Sequence, residues 1–427
     1  MSKPLQINPI KLSQPMGALL CFLGIKDTMP LMHGAQGCAS FSKVFFTRHF
    51  CDPIAVQTTA VNDLTAVIDG GEYSIGEAIK NITKKVQPKL VGLFTTGMTE
   101  TKGDDIKGVT YLLRDEQQMV YVNTPDFEGG LESGFAKSIE AIVEQLVEKR
   151  DTINHQKALL IPNANLTPLE VEKIKEQIEL FGFDEVFALP DLSLSLDGHL
   201  GLKQGALTSG GIAVEEIKAL GDSTVVITVG DSVEKAGELM LTKNEQMKHI
   251  HFDALGGLIA SDAFYKALLE IQGLTKPHSS IIRWRKRLQD ALLDTHFALG
   301  GTRVIIAAEA DQILALSQTI HEAGANIVAV VAPTKSKALS QVPCDNIIIG
   351  DFEDVEESMV DADLIISNYH AERLADKHHK ALLVRGFPNY EIVGNQLKYD
   401  LLYEGSCYLL FELANLINQY NHHKKES

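Results

Sequence analysis

Residues 90–100 run Leu90-Val91-Gly92-Leu93-Phe94-Thr95-Thr96-Gly97-Met98-Thr99-Glu100. An apolar run this short, stopped by hydroxyls, a glycine and a carboxylate, reads as a strand buried on both faces. Upstream, Ile75, Ala78, Ile79, Ile82 and Val86 recur at helical spacing, so an amphipathic helix precedes it. Downstream, residues 119–123 form a second apolar run ending at Thr124-Pro125. Phe135, Ile139, Ile142, Val143 and Leu146 then line another helix. Alternating buried strands and amphipathic helices predict an α/β fold with parallel sheets. In such a sheet the polar loop from Thr95 to Glu100 lies where sites form, beyond the carboxyl end of a strand.

The alternation repeats along the chain. Residues 149–156 are charged and polar and mark a boundary. Strands are expected at 158–161, 186–189 and 224–229. Thr167-Pro168-Leu169-Glu170 starts a helix, with capping-box spacing and proline in the first turn. Leu169, Ile174, Ile178 and Phe181 form its apolar face. Residues 235–300 read as mostly helical. A third set has strands at 303–308, 327–331, 346–349, 364–367 and 381–384. Its helices are 313–323, closed by Gly324, and 408–417, followed by a polar tail expected to fray. A short helix at 16–23, a helix reaching Phe50 and a strand at 54–58 complete the N-terminal part. The expected architecture is three Rossmann-like domains with parallel sheets flanked by helices. They cover 1–155, 156–275 and 276–427, the last carrying the C-terminal helix. Neither GxGxxG nor GxxxxGK[ST] occurs, so the fold alone implies neither a dinucleotide nor ATP.

The 427 residues carry 56 acidic and 39 basic side chains, a net charge of -17, which argues against nucleic acid as a partner. The basic run Arg283–Arg287 around Trp284 reads as a solvated helix face. Hydrophobic residues make up 45% and charged residues 22%, as in a folded globular protein. The five cysteines, Cys21, Cys38, Cys51, Cys344 and Cys407, are scattered and form no CxxC. That pattern fits neither a disulfide framework nor a self-contained zinc or ferredoxin-type site. Met1-Ser2-Lys3-Pro4 opens no signal-peptide apolar region, and no apolar run is long enough for a bilayer. A cytoplasmic, reduced protein without a membrane partner is expected.

One cysteine stands out. Pro30-Leu31-Met32-His33-Gly34-Ala35-Gln36-Gly37-Cys38-Ala39 places a thiol behind two glycines and ahead of Phe41, Val44, Phe45 and Phe46. Such a thiol can ligate a metal or cluster, act as a nucleophile, or be buried and inert. No base is identifiable for the nucleophile.

His33-Gly34-Ala35-Gln36-Gly37-Cys38 resembles the HGSQGC signature of β-type subunits in the nitrogenase component 1 superfamily. Further blocks follow in the family's order: Arg48-His49-Phe50 with Asp52-Pro53, and Thr95 to Glu100 with Gly103-Asp104-Asp105. Arg385-Gly386-Phe387-Pro388 and Tyr403-Glu404-Gly405 complete them. In the family's catalytic β subunits three cysteines hold the P-cluster, one in a CQP, one in HGSQGC and one in the TTC loop. Here Ser13 stands in Ser13-Gln14-Pro15 and Gly97 in the TTC position, and Cys38 alone is kept. Serine is a poor ligand for iron and glycine offers none.

The resemblance therefore implies a smaller cluster. Cys38 would be the one metal ligand given by this chain to a [4Fe–4S] cluster shared across a subunit interface, with three thiolates from a partner. The implied role is that of a scaffold subunit, not a catalytic one, although superfamily members are oxidoreductases. On the scaffold the iron–molybdenum cofactor precursor is matured, held mainly by a NifE-like subunit in an α2β2 heterotetramer. The nitrogenase iron protein docks transiently, and a donor protein delivers the precursor. The stretch Val67-Ile68-Asp69-Gly70-Gly71 aligns with the docking surface. Two other family roles stay open: the catalytic β subunit of a nitrogenase-type reductase, and the B-type subunit of dark-operative protochlorophyllide reductase. The first predicts three ligand cysteines; the second shares a [4Fe–4S] cluster but matches the Arg48 and Gly386 blocks less well. A Rossmann-type small-molecule binder is a third reading, disfavoured by the missing glycine-rich fingerprint.

For His33 three roles are open, a metal ligand, a hydrogen-bond donor to a ligand, and a loop residue whose ring bonds backbone, and the last is preferred. His49 is read as packing. For Thr99 and Glu100 two roles stay open with equal weight, hydrogen bonds that hold the loop and a redox role; Asp104 and Asp105 are read as capping a helix rather than as a metal site. Cys21 is assigned to the core. Cys51 lies near the site in sequence, and Cys344 and Cys407 match no ligand position.

Overall fold

The computed structural model describes residues 8–50, 54–61, 71–195 and 205–426. Cys51, Asp52-Pro53 and Val67 to Gly70 lie outside them. The chain forms two compact units. One is Leu12–His251; the other is Phe252–Ser427 together with the segment ending at Lys11.

In the first unit α1 (Gln14–Leu23) leads to β1 (Thr28–His33), α2 (Gln36–Phe45) and β2 (Gln57–Thr58). Then come α3 (Glu72–Lys85), β3 (Leu90–Thr95), α4 (Gly97–Lys102), α5 (Ile106–Leu113), β4 (Met119–Val122) and α6 (Leu131–Leu146). The strands form a parallel sheet in the order β2-β1-β3-β4. All six residues of β1 and all six of β3 are buried, as expected for parallel strands covered on both faces. Ile75, Ile79 and Ile82 of α3 pack on Met29, Leu31, Val91 and Leu93; each such side chain contributes about 1.5–3 kcal/mol of burial. On the other face every residue of α1 is buried, and Phe22 stacks on Phe94 at 6.1 Å. Two glycines allow α1 and α6 to touch backbone to backbone. A Cβ on Gly17 would lie 2.1 Å from the Leu131 carbonyl, and one on Gly134 2.0 Å from that of Gln14.

The same unit continues with β5 (Asn154–Pro162), α7 (Pro168–Glu179), β6 (Glu185–Ala188) and α8 (Leu192–Ser195). After these come α9 (Val214–Lys218), β7 (Ser223–Val229), α10 (Glu234–Leu241) and β8 (Lys248–Phe252). The parallel pairs β5–β6 and β5–β7 centre a sheet ordered β6-β5-β7-β8. The α7 start forms the expected capping box: the Thr167 hydroxyl accepts from the Glu170 N–H at 3.2 Å, and the Glu170 carboxylate accepts from the Thr167 N–H at 2.8 Å.

The second unit holds α11 (Gly257–Gln272), α12 (Ser279–Leu299), β9 (Arg303–Ala307), α13 (Ala310–Glu322), β10 (Asn326–Ala332) and β11 (Ile347–Ile349). It ends with α14 (Phe352–Ser358), β12 (Leu364–Ser367), α15 (Glu372–Lys377), β13 (Ala381–Val384) and α16 (Leu402–Glu426). Its sheet runs β11-β10-β9-β12-β13, the mononucleotide-fold order that reverses beside its first strand. Three parallel sheets flanked by helices are thus present, as expected.

Some elements differ from expectation. Residues 235–300 contain strand β8, hidden because Lys-His-Ile-His-Phe carries a single β-branched residue and forms a half-exposed edge. The helix after Cys38 ends at Phe45, before Arg48 takes a left-handed φ of 68°. Only Gln57–Thr58 of 54–58 pairs as strand. The last helix is longer than 408–417 at both ends, and residues 421–426 continue it, so the polar tail is helical. It packs along α12, and beyond Ile417 its exposed side chains are polar, which removes the apolar signal without removing the helix. Arg285 pairs with Asp262 at 2.7 Å and Arg287 lies over Trp284 at 4.4 Å, consistent with a solvated face for that basic run.

Candidate functional site

In the first sheet β1 leads outward to β2 and β3 leads to β4 on the opposite side. Their carboxyl ends therefore diverge, which opens a crevice at the point where strand order reverses. Two turns flank it. After β1, Gly34 and Ala35 lead into α2; after β3, Thr96 leads into α4. The register pairs His33 with Thr95, so both turns start at one level.

Cys38 sits in the first turn of α2, its N–H bonded to the Ala35 carbonyl at 3.2 Å. It is a half-buried free thiol. Burial, then the charge of Asp126, pushes its pKa up. Gly97 is the first residue of α4, and its N–H donates to Asp126 Oδ2 at 2.9 Å. Ser13 caps the start of α1, but its side chain makes no capping bond. Next to it, Gln14 Nε2 donates to Ser133 Oγ at 3.2 Å. The stretch from the end of β4 into the first turn of α6 thus touches the starts of both α1 and α4. Ser13, Cys38 and Gly97, the positions that the sequence resemblance sets against cluster ligands, all lie at helix starts, and of the three only Cys38 bears sulfur.

The α4 turn is closely held. Thr96 Oγ1 and Thr99 Oγ1 donate to the His33 carbonyl at 3.1 and 3.0 Å, and the Thr96 N–H donates back to Thr99 Oγ1 at 3.1 Å. Glu100 accepts from the Thr95 hydroxyl and, at 2.6 Å, from Asn123 Nδ2. The hydrogen bonds of Thr99 and Glu100 hold the loop, the first of the two roles left open for them. Asp105 caps α5 through the Gly108 N–H at 2.8 Å.

His33 differs from expectation. It is the last residue of β1, fully buried, and its ring bonds side chains rather than backbone. Nε2 lies 2.9 Å from Asp104 Oδ2, and Nδ1 lies 2.9 Å from Thr59 Oγ1. The carboxylate accepts, so Nε2 carries the proton and Nδ1 accepts the threonine hydroxyl. Burial lowers the pKa of His33 against the opposing pull of Asp104, which disfavours the charged ring. With both nitrogens engaged, His33 is not a metal ligand. His49 is buried beside Phe50, and burial lowers its pKa to about 3. Cys21 lies in the core, and Cys407 is buried with its thiol pushed up to about 11 by burial and then Glu404. Cys344 is half-buried, its Sγ 3.5 Å from the Asn346 carbonyl.

The two C-terminal motifs belong to the other unit. Arg385 pairs with Asp400 at 2.5 Å and with Glu412 at 2.5 Å; Tyr403 stacks on Tyr265 at 4.9 Å and bonds Asp262. Among the described residues no group of three or more His, Cys, Asp or Glu side chains could hold a metal ion, and no helix is long and apolar enough to cross a membrane. Among the described residues the donor set around Cys38 is a single half-buried thiol at a helix start, which fits one ligand of a shared iron–sulfur cluster.

These features define an α/β chain of three parallel sheets with a half-buried thiol at the switch point of the first. A family model described as nitrogenase component 1 type oxidoreductase matches residues 13–418, and the chain belongs to that family. A solved chain described as nitrogenase Cp1 at pH 6.5 superposes with a TM-score of 0.91 at 29% identity, covering 98% of this chain and 94% of its own length. A second Cp1 chain, at 13% identity and a TM-score of 0.72, shares the fold. Within the family the chain groups with proteins named nitrogenase iron-molybdenum cofactor biosynthesis protein NifN. That of Rhodobacter capsulatus is 38% identical over 98% of this chain and 93% of its own. Those of Rippkaea orientalis and Klebsiella pneumoniae are each 36% identical, covering 97% and 99% of this chain and 94% and 93% of their own.

Sequence reasoning missed Asp126 and Thr59. Each lies more than twenty residues from its partner and in no motif, so only the fold brings it to the site.

Proposed function

We propose that this chain is the β-like subunit of a scaffold on which the iron–molybdenum cofactor precursor of nitrogenase is matured, with Cys38 supplying one thiolate to a [4Fe–4S] cluster shared with a NifE-like subunit. The observation that carries this reading is the Cys38 thiol at the switch point, alone there among the described residues, with Ser13 and Gly97 at the other two helix starts. When bound, the cluster would supply one-electron chemistry. This chain's part is to present a thiolate from the first turn of α2, where helix N–H groups favour negative charge.

The surface around Cys38 supports a shared site. Phe41 and Val44, on the α2 face that continues from Gly37, are 69% and 52% exposed, and Phe127 beside Asp126 is 63% exposed. Large apolar side chains around a half-exposed thiol suit burial against a partner subunit. The partner would hold most of the precursor in a cytoplasmic α2β2 assembly. The nitrogenase iron protein and a precursor donor would bind it transiently.

The test is Cys38→Ala in the complex co-purified with the NifE-like chain. The interface cluster should be lost, seen as less iron per complex and loss of the reduced-state EPR signal. Unchanged iron and EPR would sink the assignment. Expressed alone, the chain should carry no stoichiometric [4Fe–4S] cluster.

A further inference from the structure

Helix α2 is weakly anchored by its own side chains. Of its ten residues only Ala39 and Ser42 are buried. The placement of Cys38 is therefore decided by the preceding strand end, at His33 and Gly34. There the buried polar groups converge on one residue. The side chains of His33 and Asp104 are 0% and 3% exposed and 2.9 Å apart. Asp104 Oδ1 accepts the Gly71 N–H at 3.0 Å, and Glu72 Oε1 accepts the Asp105 N–H at 3.1 Å. Those two bonds fix the start of α3. On the other side Thr59 Oγ1 meets His33 Nδ1 and also accepts the Gly34 N–H at 3.3 Å, while the Val61 N–H donates to the Gly34 carbonyl at 3.1 Å.

From these contacts, and resting on the reading of Cys38 as a cluster ligand, we propose that the buried His33–Asp104 pair is the latch that holds the Cys38 turn in register with Thr59 and Gly71. His33 is thus a positioning residue for the thiolate. The pair acts through geometry. Each ring nitrogen is tied to a different segment, so the imidazole cannot rotate without breaking a buried hydrogen bond, and such a bond is costly to leave unmade. The two carbonyl bonds from Thr96 and Thr99 attach the same residue to the α4 turn. One side chain and its carbonyl therefore set the spacing between the Cys38 turn, the Gly97 turn and the α3 start.

Asp104→Ala, Asp104→Asn and Thr59→Val separate positioning from mere stability. Asparagine can still accept from Gly71 through its oxygen and donate to Nε2 through its amide, with the imidazole taking its other tautomer. In the full chain, mass mapping should show Cys38 alkylated severalfold faster in Asp104→Ala and Thr59→Val, and near the wild-type rate in Asp104→Asn. In the co-purified complex the same two variants should shift or broaden the reduced cluster's EPR signal, and Asp104→Asn should restore it. A role confined to stability would lower the melting temperature and move neither readout in the folded protein. Wild-type alkylation and EPR in both Asp104→Ala and Thr59→Val would overturn the latch. Should Asp104→Ala not fold, Thr59→Val, which keeps the shape and removes the hydroxyl, decides alone. If Cys38 is no ligand, Cys38→Ala leaves the iron unchanged, while the alkylation arm still decides whether the pair positions the thiol.

Discussion

Asp126 Oδ2 accepts the backbone N–H of Gly97 at 2.9 Å, and a Cβ built on Gly97 would lie 3.2 Å from that same oxygen. The carboxylate stands where a residue-97 side chain would project. The TTC position is therefore not a vacant ligand site awaiting a thiol, because a neighbouring acid has taken up the exposed N–H of the α4 start.

Ser13→Cys with Gly97→Cys restores the sulfur pattern of the catalytic subunits in sequence. With Asp126 in place and a partner unchanged, the complex should bind no more iron than wild type and keep its EPR signature. Iron analysis and EPR of the double variant check this. A rise toward twice the iron per complex would show that ligand loss alone limits cluster size.

Much of the fold was legible because parallel strands buried on both faces leave continuous apolar runs, as in Leu90–Thr95 and Leu364–Ser367. Edge elements were not. Strand β8 alternates histidines with Ile250 and Phe252, and β2 is two residues long, so neither carries a buried-strand signal. At the site, Cys38, Ser13 and Gly97 were readable from motif position. The ring partners of His33 were not, because Thr59 and Asp104 are 26 and 71 residues away and meet it only through the sheet.

Gly71 is packed against the latch. A Cβ there would lie 2.5 Å from Asp104 Oδ2 and 2.5 Å from His33 Cε1, both buried. Gly71→Ala should cost about 1–3 kcal/mol, as overpacking does. Gly76, inside the helix α3 that Gly71 precedes, has nothing within 4 Å of its built Cβ, so Gly76→Ala should be neutral or stabilising by about 0.5–1 kcal/mol. Urea unfolding of the two variants gives the contrast, and equal effects would contradict it.

Phe94 is fully buried in central strand β3 and stacked on Phe22 of α1. Phe94→Ala should lower stability by about 3–5 kcal/mol, through lost transfer free energy and the cavity left. Phe297→Ala, at a side chain 95% exposed, should stay within about 0.5 kcal/mol. Comparable losses in chemical denaturation would place Phe297 in a packed environment and refute the contrast.

In the second unit, Arg385 ties the turn after β13 to α16. Its side chain is 7% exposed, and it pairs with Asp400 at 2.5 Å and Glu412 at 2.5 Å, while Lys398 reaches Glu412 at 2.9 Å. Burial raises the pKa of Glu412, but the Arg385 charge and hydrogen bond, with Lys398, outweigh it and hold the carboxyl below its ordinary value. A group depressed in the folded state adds stability that is fully present above its unfolded pKa, about 4.3, and is lost as pH falls through the folded value. Arg385→Met removes the cation from Asp400 and leaves Glu412 with Lys398 alone, which should cost about 2–3 kcal/mol at pH 7. In acid those carboxylates protonate and no longer need the arginine, so the deficit of Arg385→Met against wild type should shrink as pH falls below about 4. Glu412→Gln should flatten the acid limb of the stability curve. Urea unfolding from pH 7 down to pH 3 measures both, and a deficit for Arg385→Met independent of pH would show that the arginine acts by packing rather than by charge.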